Sequence, residues 1–267
     1  MRHFIKQIWI GIMFFAFSQT MYGQLIYYSP SPNYVLGVTE FGSLPFEINF
    51  QTPRLEVNAG YIFSENYFAM ASVNFDSFTS TYNRGLFSSP RKREKNNTGF
   101  RIAAGRQNLG NIGNYKNLEV LVGVESQWSS ILDYFERDGP EIAFNLEQHQ
   151  FNIYAQFAMT KVAARYDFGY SVKLNYLKFT KIRVDDMAVF PSGEGNILVQ
   201  PGIHYNRMIS KDRKLSIISS FSLAIPLSGR RITLDDETIV YNVEKTLLRP
   251  VLAIGLRYVF HKKKGQE

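Results

Sequence analysis

Between Val162 and Tyr176 the chain alternates with a strict period of two. Val162, Ala164, Tyr166, Phe168, Tyr170, Val172, Leu174 and Tyr176 fall on one side; Ala163, Arg165, Asp167, Gly169, Ser171, Lys173 and Asn175 fall on the other. A helix would mix the two sets around its circumference, whereas a strand sends successive side chains to opposite faces. The run predicts a strand with one wholly apolar face.

The same pattern recurs. Phe46, Ile48 and Phe50 oppose Glu47, Asn49 and Gln51, and Leu55, Val57, Ala59 and Tyr61 oppose Glu56, Asn58 and Gly60. Further runs are centred on Val73, Ile102, Val122, Ile153, Ile203, Phe221 and Ile254, with Met70 and Ile218 intruding on the polar side of two of them. The reading is all-β: an antiparallel barrel of about ten strands, with eight to twelve compatible. An even count places both chain ends on one side.

The connections alternate as well. Ser64 to Asn66, Met159 to Lys161 and Ser210 to Lys214 read as short turns, and Asn108 to Asn117 as a moderate one. The Gly-Asn cluster within Asn108 to Gly113 is turn chemistry. Thr79 to Asn97, Ser129 to Asn145, Thr180 to Gly195 and Ser228 to Thr246 read as long loops, and Thr52-Pro53 as one short hairpin on the long-loop side. Short periplasmic turns opposite long extracellular loops are the pattern of a transmembrane barrel.

A leader fits that destination. Arg2, His3 and Lys6 precede the apolar run Ile8 to Phe17, and Ser18 to Gly23 forms a short polar exit. Residues 1–23 are expected to be a cleaved signal peptide, because ten apolar residues are too few to span a bilayer as a helix. Residues 24–42 then form an N-terminal periplasmic segment that tucks beneath or into the barrel, and 43–267 form the barrel itself. The expected location is the bacterial cell outer membrane.

Alternation alone does not say which face is outside. A lipocalin-like barrel is apolar within, a membrane barrel apolar without. Three features choose the membrane. Aromatics gather near strand ends on the apolar face (Tyr61, Tyr67, Tyr176, Tyr205, Tyr258, Phe260), as an interfacial girdle requires. The polar face carries Gly60, Gly105, Gly123, Gly169, Gly202 and Gly255, which leave room in a narrow lumen. The last strand closes on an aromatic. The lumen would then hold Glu47, Glu56, Asp76, Glu119, Glu125 and Asp167 against Arg101, Arg165, Lys173, Arg249 and Arg257. Charges out of water must pair, so these are expected to form a network that fills the barrel.

Composition removes other chemistries. With no Cys in the chain there is no disulfide scaffold, thiolate metal site or Cys nucleophile. The formal charge of +7 is spread among acids rather than clustered, unlike a nucleic-acid surface. No metal or cofactor motif stands out, so no cofactor, no metal site and no enzymatic activity are expected. His149, His204, Asp185-Asp186 and Asp235-Asp236 are the candidates for a rim hydrolase, and Ser220 and Ser222 for a nucleophile, but no general base with a positioned partner can be assembled from them. The charge run Arg91, Lys92, Arg93 and Lys95 is placed on an extracellular loop, as a solvated segment or an anion site.

Short motifs support a family likeness. Tyr28-Ser29-Pro30 with Asn33 and Leu36, Thr39-Glu40-Phe41-Gly42, and the strand-turn-strand from Gly60 to Ala69 resemble a broad group of outer-membrane β-barrel proteins of the Bacteroidota. The likeness implies a fold and a location. It implies no activity, because the group shares none. The expected role is structural or surface interaction through extracellular loops. The alternatives are narrow solute transport through a charged lumen, or hydrolysis at the rim. Expected partners are outer-membrane lipid, lipopolysaccharide and the barrel-assembly machinery, with no nucleic acid and a monomeric state.

Overall fold

In the computed structural model the alternating runs pair edge to edge and return to their start. Residues 31–37, 40–51, 54–83, 90–115, 117–135, 142–184, 187–189, 196–227, 232–233, 240–241 and 249–261 are described. The expected leader, Asp185-Asp186 and Asp235-Asp236 lie outside them.

The strands are β1 (Leu44–Gln51), β2 (Arg54–Ile62), β3 (Tyr67–Asn83), β4 (Pro90–Arg106), β5 (Asn117–Phe135), β6 (Ile142–Val162), β7 (Tyr166–Val184), β9 (Asn196–Met208), β10 (Leu215–Pro226) and β13 (Arg249–Phe260). Each pairs antiparallel with its neighbour in this order, and β13 pairs with β1. The result is a closed ten-stranded ring. The short β8 (Met187–Val189) pairs antiparallel with the far end of β7, and β11 (Ile232–Thr233) pairs with β12 (Val240–Tyr241) apart from the ring.

Burial follows parity. On β7, Asp167, Gly169, Ser171, Lys173 and Asn175 are buried while Tyr166, Tyr170, Val172, Leu174 and Tyr176 are exposed. The polar residues face inward and the apolar ones outward, the reverse of a soluble protein. An outward apolar belt is formed by Ile102, Val122, Ile153, Leu174, Ile203, Ile254 and their neighbours, all exposed. Aromatics bound it at both ends. Tyr61, Phe63, Tyr67, Tyr166, Tyr205, Tyr258 and Phe260 lie toward the short turns, and Phe75, Phe100, Trp128 and Tyr176 toward the other end. Ring pairs join neighbouring strands within these girdles, among them Tyr166 with Tyr205 and Phe100 with Trp128. A closed ring is what lipid demands, because hydrocarbon satisfies no unpaired strand edge.

Two sequence expectations change. The run from Val162 to Tyr176 is not one strand, because β6 continues to Val162 and the chain turns at 163–165, not at Met159 to Lys161. Ala163 N–H donates to the Tyr166 carbonyl to close the hairpin, and Arg213 caps the carbonyls of Ala163 and Ala164 from the adjacent turn. A turn built from Ala-Ala-Arg carries none of the Gly, Pro or Asn signals that mark one. Arg165 is consequently exposed on that turn and is not a lumen residue. In addition, much of the expected loops is strand. β3 to β7 are 17, 17, 19, 21 and 19 residues long, whereas β1, β2, β9, β10 and β13 are 8, 9, 13, 12 and 12. The expected cation loop is part of β4, where Arg91, Lys92 and Arg93 pair in register with Tyr82, Thr81 and Ser80 of β3.

Candidate functional site in the barrel lumen

The inward faces supply a ring of polar and charged side chains, and residues 31–37 thread through them. All seven of these residues are buried. Gly37 and Gly42, at φ 72° and 74°, adopt the left-handed backbone that glycine tolerates where the segment leaves the lumen for β1. Gly42 N–H donates to the Ile62 carbonyl and Ile62 N–H to the Ser43 carbonyl, fixing the exit beside β2. From there the segment climbs from the level of Glu119 to that of Glu125.

Its backbone is held by side chains from around the ring. Gln200 donates to the Ser31 carbonyl at 2.9 Å and Arg101 to that of Pro32 at 3.0 Å. Gln156 donates to the carbonyl of Tyr34, and Arg257 to those of Val35 and Leu36. The N–H groups of Leu36 and Gly37 donate to the two carboxylate oxygens of Glu119 at 3.0 and 3.3 Å. Asn33 donates to Ser171 at 2.9 Å and to the Gln200 carbonyl at 3.0 Å, and Ser31 donates to Glu125.

Around this strut lies the expected charge network. Glu56 sits between Arg54 (3.3 Å) and Arg101, and Arg54 also reaches Glu125 at 3.3 Å. Arg257 pairs with Glu47 on the adjacent strand, its register partner. Lys173 is fully buried, with Nζ 4.5 Å from the centroid of the Tyr154 ring, a cation–π contact that offsets part of its desolvation. Asp167 accepts from Asn206 at 3.2 Å. Asp76 pairs with Lys95 at 2.7 Å, farther up the barrel. Thus Glu47, Glu56, Asp76, Arg101, Glu119, Glu125, Asp167, Lys173 and Arg257 all face inward. Arg249 lies on β13 with inward parity, its side chain outside the described set. Arg165 does not belong.

Sequence reasoning missed four participants. Arg54 lies beside the Thr52-Pro53 hairpin, before the alternation begins. Lys95 was grouped with a loop, but is buried against Asp76. Tyr34 and Leu36, with no strand around them to reveal a face, form an apolar cluster with Ile62, Phe68, Met70, Ala103, Leu121 and Tyr154. That cluster explains why Met70 interrupts a polar face: it packs against the occupant. Glycine makes space in the same way. A Cβ at Gly60 would lie 3.1 Å from Tyr34 Oη, and one at Gly202 2.9 Å from Asn33 Nδ2.

A cavity of about 40 Å³ remains between the segment and the wall, lined in part by Asn58, Asp167, His204, Asn206, Ser220 and Arg257. Such a volume holds roughly two or three waters. Among the described residues Asn58 Nδ2, Asp167 Oδ1, His204 Nδ1 and Asn206 Oδ1 have no hydrogen-bond partner, so the lining is suited to water. His204 faces Ser220 across β9 and β10 in register, yet its Nε2 bonds Thr160 at 3.1 Å. Ser222 bonds Gln200 instead. His149 stacks on Trp128 with ring centroids 4.7 Å apart and bonds Ser126 at 2.7 Å, which makes it part of the upper girdle. Among the described residues no group of three or more metal-ligating side chains occurs, and no helix is long and apolar enough to cross a membrane.

This is a transmembrane β-barrel of the bacterial outer-membrane type. No family model matches the chain, and no curated protein matches it. Solved structures do. The translocator domain of the autotransporter NalP from Neisseria meningitidis is 11% identical, with 81% of this chain and 86% of that one covered at a TM-score of 0.48. CarO2 of Acinetobacter baumannii is 12% identical, with 83% and 100% covered at 0.36. The NanC porin is 10% identical, with 80% and 98% covered at 0.30. No activity passes from any of them to this chain.

Proposed function

We propose that this barrel is closed to solutes and acts at the cell surface through the tall wall formed by β3 to β7. One observation carries the reading: five consecutive strands continue past the apolar belt on one side, while the lumen below is occupied. The belt of a membrane barrel is about 25 Å tall and is crossed by roughly 9–11 tilted residues. The 21 residues of β6 rise roughly 50 Å at a tilt of about 40°. Structure that stands clear of lipid, on the side away from the short turns, is structure presented to the outside.

Occupancy of the lumen argues against transport as the main role. Residues 31–37, the apolar cluster and the charge network leave a cavity suited to water rather than to solute. The alternative of rim hydrolysis has no support from geometry that joins a base, a nucleophile and an orienting group. The partners proposed are outer-membrane lipid and lipopolysaccharide along the belt, and the assembly machinery during insertion, with the barrel acting as a monomer.

Two readouts test the proposal. Refolded protein in planar bilayers should show no steady conductance; a steady conductance that falls when Arg101 is neutralised would sink it. Because the chain lacks cysteine, Ser130→Cys on intact cells should react with a membrane-impermeant thiol reagent. A Ser130→Cys chain that stays unlabelled on intact cells yet reacts after lysis would put the wall on the wrong side.

A further inference from the structure

The lumen holds residues 31–37 largely through their main chain. Of the seven residues, five present a carbonyl to a barrel side chain and two present an N–H to one. The donors are Gln200, Arg101, Gln156 and Arg257, and the acceptor is Glu119. These groups bond the peptide backbone, which is the same in every sequence. Arg257 divides its guanidinium between Glu47, through Nε, and two successive carbonyls. Glu119 is buried, and among the described residues its hydrogen bonds come from the two amides of the segment and from no cation. A carboxylate buried in this way exists to receive N–H groups.

We infer that the lumen is a binding site for an extended, uncharged polypeptide read through its main chain, and that residues 31–37 are its resident occupant. The ligand class follows from the site. The segment Ser-Pro-Asn-Tyr-Val-Leu-Gly carries no charge; Arg54, Arg101 and Arg257 of the wall already hold carboxylates, and both oxygens of Glu119 are taken by amides. Another charge would be buried without a partner. Extended backbone is required because the carbonyls of Ser31, Pro32, Tyr34 and Val35 reach β9, β4, β6 and β13 in turn. Side-chain selectivity comes from Tyr34 and Leu36, which fill the apolar cluster, from Asn33, which bonds β7 and β9, and from the Ser31 hydroxyl, which bonds Glu125 and Arg54. A peptide in trans that offers the same backbone, an aromatic and an aliphatic two residues apart competes for the site.

The test uses the full chain with Ser31→Cys as its single thiol. Ser31 is fully buried, so labelling by a small maleimide is slow while the segment is seated. The tether holds the resident segment at a millimolar effective concentration, so the synthetic peptide of residues 31–37 is added at about ten times that level. We expect labelling to accelerate about tenfold. The same peptide N-methylated at Leu36 and Gly37 removes the two donors to Glu119 and should lose at least tenfold in potency. A second arm covers failure of exchange against the tether: a chain beginning at Val38 is refolded with and without the peptide. Binding to that chain when it folds, or recovery of its folding by the peptide, supports the site. The inference is overturned if the peptide neither speeds labelling, nor binds, nor restores folding. It is equally overturned if the N-methylated peptide acts as well as the native one.

Discussion

The two sides of this barrel obey different rules. On the low side, β1, β2, β9, β10 and β13 are 8 to 13 residues long and end close to where the lipid ends. On the tall side, β3 to β7 are 17 to 21 residues long and continue into water. Within the belt each strand separates two environments, hydrocarbon outside and a polar lumen inside. Above it the outer face meets water: Asn96, Thr98, Ser130 and Thr180 are exposed there. The inner face mixes Gln127, Ser129 and Gln148 with buried Ile131, Leu146 and Phe179. The contrast teaches that lipid, not pairing, enforces the alternation. Backbone pairing continues without a break from Arg106↔Tyr67 to Pro90↔Asn83, while the side-chain rule changes halfway.

The largest effect expected comes from breaking the part that the two sides share. Arg101→Met removes the partner of Glu56 and the donor to the Pro32 carbonyl, leaving a buried carboxylate short of a cation. A loss of about 3–5 kcal/mol is expected, read as the urea midpoint of the heat-modifiable band. Arg54 alone is left beside Glu56, so an unchanged midpoint would mean that the network is solvated rather than packed.

Next in size is a scan along one strand of the tall wall. Ile102→Arg places a charge in the belt and should cost about 2–4 kcal/mol, whereas Thr98→Arg, four residues higher on the same face, should cost under about 1 kcal/mol. Equal costs would erase the boundary drawn between belt and wall. The comparison can be sharpened at Gly169, on the lumen face near the short turns. A Cβ there meets the Met159 carbonyl and the His204 ring. Gly169→Ala should cost roughly 1–3 kcal/mol by overpacking, and His204→Ala should return part of it. Absence of any rescue would place the strain in the backbone.

The smallest effect lies at a short turn. The Ser210 hydroxyl, then the Lys214 N–H, hold the Asp212 carboxyl below its ordinary range. A depressed folded value means that the stabilisation is present above the unfolded value and is lost as pH falls through the folded one. Asp212→Asn should therefore remove a small acid-side dependence of hairpin exchange, with its neutral-pH opening slightly above the native level and equal to what the native chain reaches in acid. A steeper acid dependence in the variant would reverse the assignment.

The same contrast explains what could be read from sequence. Strands, faces and lumen charges were legible in the belt, because there each position chooses between lipid and lumen. Asn49, Glu56, Arg101 and Lys173 were all placed inward by parity alone. Above the belt both faces are polar or mixed, so Arg91 to Lys95 and Thr180 read as loop although they are strand. Arg165 failed for a different reason: a turn of Ala-Ala-Arg continued the alternation of the strands around it. Residues 31–37 have no periodicity of their own, and Met70 and Ile218, apolar on polar faces, were the hints that something apolar lay opposite. The segment's place beneath or within the barrel was left open by the sequence, and its backbone contacts could not be anticipated, because they come from strands far apart in the chain.

Those contacts have a mechanical side. Arg54, Arg101, Glu119, Gln156, Ser171, Gln200 and Arg257 reach residues 31–37 from seven strands of the ring. A hollow sheet cylinder yields most readily by flattening, since opposite walls can approach or part without breaking a single ladder bond. Here opposite walls are tied to one central strut, as the rim of a wheel is tied to its hub, and flattening must stretch the spokes. Distances between spin labels on β2 and β9 should be narrowly distributed in the native chain and broaden when the spokes at Arg101 and Arg257 are removed together.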